Sequence, residues 1–180
     1  GAASLAASYV NLANPGVHTL SPRTSAPAWN TLVGWSAPGN LISTTIVCNS
    51  FSTVIYRMSN AKQYPYNNGT IAYGSGLHGL MIHSTTITGR LQSAQRSFTV
   101  SQPYAGVVAY NKNGVYENGV LVTTSFGSLL STDEVGTGVF NSALTWGGVY
   151  ISLTCEACAW YDIPITAEQI LAISAAMAAL

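Results

Sequence analysis

The segment Gly106–Thr124, GVVAYNKNGVYENGVLVTT, contains the pattern that decides the fold class. Its two Asn-Gly pairs, Asn113-Gly114 and Asn118-Gly119, lie only a few residues apart. Asn-Gly is typical of tight turns between antiparallel strands because both residues tolerate a positive φ. The residues around these turns are mostly Val, Tyr, Leu and Thr, and Val, Tyr and Thr are types that favour β-strands. The segment is therefore predicted to be a meander of three antiparallel strands.

Similar short stretches precede and follow the meander. They are rich in Val, Ile, Tyr, Phe and Thr, and turn signals such as Pro38-Gly39 separate them. The predicted strands are Phe51–Met58, Gly79–His83, Ser97–Ser101, Gly106–Tyr110 and Val149–Thr154. Many short strands, with no sustained helical period before Ile163, predict an all-β sandwich or barrel.

The end of the chain predicts one short helix. Pro164 disfavours helix before it, and the segment Thr166–Gln169 matches a capping box with Thr166 as N-cap. We expect the helix to begin at Ala167 and to have a packing role. Its apolar stripe, spaced by three and four residues, is Ile170, Ile173, Met177 and Leu180.

Composition limits the class of protein. The chain has 180 residues, 48% hydrophobic and 7% charged, which fits a single domain over residues 1–180. Its formal net charge is zero, so neither nucleic acid nor a membrane surface is an expected partner. No apolar run reaches the roughly 18 residues that cross a bilayer. Because it begins at Gly1 without Met, we expect a processed chain or one domain of a longer polypeptide.

The low charge also predicts assembly, because a neutral surface tends to carry patches large enough for interfaces. Expected partners are protein neighbours, in a homo-oligomer or in a capsid or tail lattice. The candidate surfaces are Gly1–Leu20, which has no evident place in the sandwich and is a candidate extended arm, and the Gly-rich loop before Trp146. The tryptophans themselves are expected in core or inter-subunit packing.

No catalytic centre is expected, and none of the acids forms the strand-borne pair that glycoside hydrolysis needs. Glu117 falls in a hairpin turn, Glu168 in a helix cap and Asp133-Glu134 in a loop. No nucleophile elbow is present, and the histidines have no matched Ser or Cys with an orienting acid. These histidines, interpreted as residues of loops or strand edges, are His18, His78 and His83.

No metal or cofactor is expected either. Asp133 and Glu134 are the only candidates for a calcium site, and a solvated loop is the preferred interpretation. The C-x-x-C of Cys155 and Cys158 is compatible with redox chemistry or half of a zinc site. Residues three apart on a strand face opposite sides, so buried, unreactive cysteines are the preferred interpretation.

The best candidate for ligand binding is the loop Gln63–Thr70, QYPYNNGT. Exposed aromatic rings beside amides and hydroxyls are suited to stacking on sugars and hydrogen-bonding to them. The simpler interpretation is that both tyrosines pack under a strand connection. The candidate glycan-binding residues are Tyr64, Tyr66, Asn67 and Asn68.

Several motifs resemble laminin-G-like, concanavalin A-like domains. Val115–Val122, VYENGVLV, resembles the family's Y-x-N-G-x-x-V hairpin, and Ala159–Ile170, AWYDIPITAEQI, resembles its closing strand and helix start. A subgroup found in bacteriophage virion proteins has an N-L-A-N-P-G segment before a Trp and a G-W strand. Here these are Asn11–Gly16, Trp29 and Gly34-Trp35, and the Ala-rich ending Ala175–Leu180 is similar too.

The resemblance implies a two-sheet antiparallel jelly-roll sandwich with a short C-terminal helix. This fold hosts lectins, glycanases, adhesion modules and capsid proteins, so function depends on the site. The leading hypothesis is a non-catalytic structural or adhesion module of a bacteriophage virion, such as a capsid decoration, fibre or tail component. The alternative is a carbohydrate-binding, lectin-like module of a larger extracellular or cell-surface protein or enzyme, and a glycanase is a distant third.

Overall fold

The structure of the chain is a computed structural model. It describes residues 21–22, 28–32, 34–37, 42–43, 47–49, 52–63, 69–74, 78–91, 94–127, 133–135, 138–139 and 151–180. The candidate arm Gly1–Leu20 and the loop before Trp146 lie outside these ranges.

The described residues form short strands followed by one helix, in the order predicted from the sequence. The elements are β1 Ser21–Pro22, β2 Ala28–Asn30, β3 Gly34–Ala37, β4 Ile42–Ser43, β5 Val47–Asn49, β6 Thr53–Gln63, β7 Gly69–Gly74, β8 His78–Ile82, β9 Thr86–Leu91, β10 Ala94–Thr99, β11 Tyr104–Asn111, β12 Gly114–Glu117, β13 Val120–Leu121, β14 Asp133–Val135, β15 Gly138–Val139, β16 Ile151–Tyr161 and α1 Ala167–Ala178.

The strands form two seven-stranded antiparallel sheets. Sheet 1 has the order β1-β4-β15-β7-β8-β9-β10, and sheet 2 has the order β13-β12-β11-β6-β16-β3-β2. A separate two-stranded ribbon joins β14 to β5. The predicted class, two antiparallel sheets with one short C-terminal helix, is confirmed.

The meander is also confirmed, as β11, β12 and β13. Asn118 and Gly119 both have positive φ, 49° and 85°, as a tight Asn-Gly turn requires. The other predicted strands are present with shifted ends. The largest difference is Val149–Thr154, because β16 continues to Tyr161 as the long partner of β6.

Sheet 2 has a hydrophobic layer on each face, since alternate residues of a strand point in opposite directions. On β6, Tyr56 and Met58 face the core between the sheets, which they share with residues of sheet 1 such as Leu80 and Ile87. Ile55 faces the other way, into a cluster covered by α1. The fold therefore has three layers: sheet 1, sheet 2 and the helix.

The helix begins at Ala167, as predicted, with Thr166 as its N-cap. The Thr166 hydroxyl accepts from the Gln169 N–H at 3.3 Å, and the Gln169 side chain accepts from the Thr166 N–H at 2.8 Å. Ile170 and Met177 are buried in the predicted stripe. Leu180 does not belong to it, because the helix ends at Ala178 and Leu180 is 71% exposed.

The prediction of a loop at Asp133-Glu134 was wrong. Both residues lie in β14, where Glu134 pairs with Cys48 of β5. Strand pairing with β5, a distant segment of the chain, determines the backbone here.

Candidate functional site

Several of the connections that lead from one sheet to the other lie at the same end of the sandwich. β6 of sheet 2 ends at Gln63, and β7 of sheet 1 begins at Gly69, which pairs with Ile82 at the end of β8. The crossing from β10 back to sheet 2 returns to this end, because Tyr104 at the start of β11 pairs with Ala61 near the end of β6. We call the two described loops at this end, His83–Thr85 and Val100–Pro103, the rim.

Hydrogen bonds connect the two rim loops to each other. The Val100 N–H donates to the Thr85 carbonyl at 2.9 Å, and the Gln102 side-chain amide donates to the His83 carbonyl. The His83 N–H closes its own turn by donating to the Thr86 carbonyl at 2.8 Å. Loops that are fixed before binding lose less conformational entropy when a ligand arrives.

The rim is polar and neutral. Its sequence, His-Ser-Thr and Val-Ser-Gln-Pro, contains no Asp, Glu, Lys or Arg. Ser84, Thr85 and Ser101 are exposed, and His83 and Gln102 are partly buried. Burial lowers the pKa of His83, so its imidazole is neutral at pH 7. This set offers hydroxyl, amide and imidazole groups to an uncharged ligand.

The four candidate glycan-binding residues lie outside the described residues. They are Tyr64, Tyr66, Asn67 and Asn68, and their role stays a prediction. The flanking residues Gln63 and Gly69 are strand ends on the same side of the sandwich as the rim. Sequence reasoning missed the rim itself, although Pro103 marks a turn and His83 had been interpreted as a residue of a loop or strand edge.

The described acids occupy separate structural positions. Glu156 pairs with Arg57, whose guanidinium also donates to the carbonyl of Met177 at the end of α1. Glu168 lies at the helix start, where its own backbone N–H and then the Thr166 hydroxyl lower its pKa. Burial, and then the nearby Glu117 carboxylate, raise the pKa of Tyr104. Within the described part of the chain, no three His, Cys, Asp or Glu residues group as metal ligands would.

The expectation that Cys155 and Cys158 face opposite sides was wrong. Cys155 pairs opposite Met58 and Ala157 opposite Arg57, so Glu156 is an extra residue in a β-bulge. The bulge reverses the alternation, and both cysteines therefore pack on the core between the sheets. Cys155 is buried, as expected, whereas Cys158 is only partly buried.

The described tryptophans support the packing interpretation. Trp29 and Trp160 pack against the core between the sheets. The Trp160 ring makes an edge-to-face contact with Tyr56, with ring centroids 6.1 Å apart.

None of the helices in the described ranges combines the length and apolar character of a membrane span.

No family model and no curated protein sequence matches this chain. Three similar solved structures come from botulinum neurotoxins. The serotype G binding domain has a TM-score of 0.63 and 11% identity, and the match covers 89% of this chain and 47% of that structure's chain. A type C structure described in terms of interaction with two ganglioside molecules has a TM-score of 0.62 and 13% identity, with 89% and 46% covered. The DC binding domain in complex with rat synaptotagmin II has a TM-score of 0.59 and 12% identity, with 89% and 47% covered.

At these identities the likeness shows a shared fold alone. The chain spans less than half the length of those structures. The neighbours support the β-sandwich part of the family resemblance, and they lend no support to a bacteriophage origin.

Proposed function

We propose that the chain is a non-catalytic binding module that recognises a neutral glycan through its rim and the adjoining loop, residues 64–68. The observation that carries the proposal is the rim itself: two loops held together by hydrogen bonds, polar and without a charged side chain. A neutral sugar presents many hydroxyls and no charge, so it matches such a surface. No metal or cofactor is required.

The predicted loop would add stacking to the rim's hydrogen bonds. Tyr64 and Tyr66 offer aromatic faces, and Asn67 and Asn68 offer amides. The similar solved structures add support by analogy to the binding-module part of the proposal, because their descriptions name gangliosides and a complex with rat synaptotagmin II. The module would then act at a cell surface or in the extracellular space.

A glycan array tests the proposal. The parent should bind a subset of neutral glycans, the double variant Tyr64→Ala/Tyr66→Ala should lose that binding, and Gln102→Ala should weaken it by loosening the rim. Asn113→Ala is the matched control, because Asn113 is exposed at the opposite end of β11. The proposal fails if the parent binds no glycan, or if the tyrosine variant binds as the parent does.

A structural role in an assembly is the second candidate, and exposed apolar side chains favour it. Val120 and Leu121 on the edge strand β13 are 61% and 51% exposed, and Leu171 on α1 is 51% exposed. Gly119 abuts Leu171, since a Cβ at Gly119 would lie 2.7 Å from the Leu171 Cα. A neighbour in a homo-oligomer, or in a virion lattice as a capsid decoration, fibre or tail component, would cover these residues.

Sedimentation at micromolar concentration tests the homo-oligomeric form of this candidate. Val120→Ser/Leu171→Ser should shift an oligomer toward monomer. A parent that sediments as a monomer and binds no virion protein would exclude the assembly role.

A further inference from the structure

The bulge in β16 brings two thiols together that a regular strand would separate. Cys155 pairs opposite Met58 and Cys158 opposite Tyr56, which are two residues apart on β6. The cysteines therefore occupy successive positions on one face. Two strand residues span about 6.6 Å, which is close to the upper limit of the roughly 4.4–6.8 Å between Cα atoms that a disulfide accepts.

The contacts of the two thiols agree with this placement. Both cysteines are free. The Cys155 thiol lies 3.6 Å from the Ala157 carbonyl oxygen, and its interaction with Cys158 is the largest cause of its raised pKa. No other His, Cys, Asp or Glu in the described ranges completes a metal site with them. The two thiols are thus placed to bond to each other rather than to a metal ion.

Access to the two sulfurs differs. Cys155 is 1% exposed, whereas Cys158 packs only partly against the core. The interaction with Cys158, and then burial, raise the pKa of the Cys155 thiol. Few Cys155 thiols are therefore ionised at pH 7. Solvent reagents should therefore reach Cys158 first.

We propose that Cys155 and Cys158 form a reversible intrachain disulfide by exchange with a small-molecule disulfide, such as oxidised glutathione. The Cys158 thiolate attacks one glutathione sulfur, forming a mixed disulfide and releasing one glutathione thiolate, which takes the proton lost from Cys158. The Cys155 thiolate then attacks the Cys158 sulfur, breaking the mixed disulfide and releasing the second glutathione, which takes the proton lost from Cys155. Two protein thiols are oxidised, and one glutathione disulfide is reduced to two thiols.

Intact mass and alkylation measure the reaction on the folded chain with Cys48→Ser, which removes the third thiol of the sequence. Incubation with oxidised glutathione should lower the mass by two hydrogens and remove both alkylatable thiols, and a reductant should restore them. The second step should accelerate as the pH rises, because it needs the Cys155 thiolate.

Two alanine variants separate the roles of the cysteines. Cys155→Ala should stop at the mixed disulfide and gain the mass of one glutathione. Cys158→Ala should gain nothing while folded, and should react only in denaturant. The proposal is overturned if the parent keeps both thiols, or if it retains one glutathione and goes no further, whatever the variants do.

Discussion

The segment that leads into the helix is held by one buried hydroxyl, and replacing Thr53 with Val tests its importance. Thr53 has no exposed surface. Its hydroxyl donates to the Ile163 carbonyl at 2.9 Å and accepts from the Ile165 N–H at 3.1 Å. It also accepts from the Asn111 side-chain amide at 3.3 Å, and that amide in turn donates to the Ile165 carbonyl at 3.2 Å.

The cost of Thr53→Val follows from which groups lose their partner. Ile165 is 4% exposed, so its N–H would be left buried without this acceptor. Ile163 is 57% exposed, so water can reach that residue, and Asn111 keeps its bond to the Ile165 carbonyl. The orphaned Ile165 N–H costs about 1–3 kcal/mol, and one N–H of the buried Asn111 amide also loses its acceptor, so we expect the free energy of unfolding to fall by at least about 2 kcal/mol.

Urea unfolding with Thr53→Ser as control measures this. Serine keeps the hydroxyl and loses one methyl group, which costs about 1 kcal/mol. At a typical dependence of about 2 kcal/mol per molar urea, Thr53→Val should lower the midpoint by at least about 1 M. If Thr53→Val is as stable as Thr53→Ser or more so, methyl packing outweighs the hydroxyl and the argument is refuted.

Three further outcomes are expected. Thr166→Ala should lower stability by about 1 kcal/mol in urea, since the Gln169 N–H loses its acceptor; equal midpoints would contradict this. Gly89→Ala should cost about 1–3 kcal/mol, because its Cβ would lie 2.8 Å from a methyl of Val115 in the core; no change in melting temperature would count against it. Burial lowers the pKa of His83 below its ordinary 6.5. Between the folded and the unfolded pKa the unfolded chain binds more protons, so the free energy of unfolding falls as the pH drops. His83→Gln should flatten the urea midpoints between about pH 5 and pH 7, and an unchanged slope would show that other groups cause it.

The parts of the fold that the sequence predicted are the local ones. The capping box at Thr166 and the Asn118-Gly119 turn involve residues close in the chain, so their physical requirements are visible in a few letters. Leu180 was misassigned because periodicity alone does not show where the helix ends. Asp133-Glu134 was misassigned because its strand partner is β5, far away in the sequence.

The parts that could not be predicted depend on pairing between distant strands. Nothing in Cys155–Cys158 reveals a bulge, because the bulge exists only relative to the register of β6. The rim is likewise defined by which strand ends meet, and the Gln102 bond to His83 joins two separate loops. The candidate glycan-binding residues predicted from the sequence fall between the ends of β6 and β7 and outside the described residues, and no pattern in the sequence indicated the rim.

The layered arrangement explains why function is best sought at the rim. Sheet 2 packs on both faces, against sheet 1 and against α1 with the segment around Ile165. Arg57 strengthens the second contact by meeting both Glu156 and the end of the helix, where a positive charge is favourable. A sheet fixed on both faces can hold loops at its end in constant positions, which the proposed recognition of a neutral glycan would require.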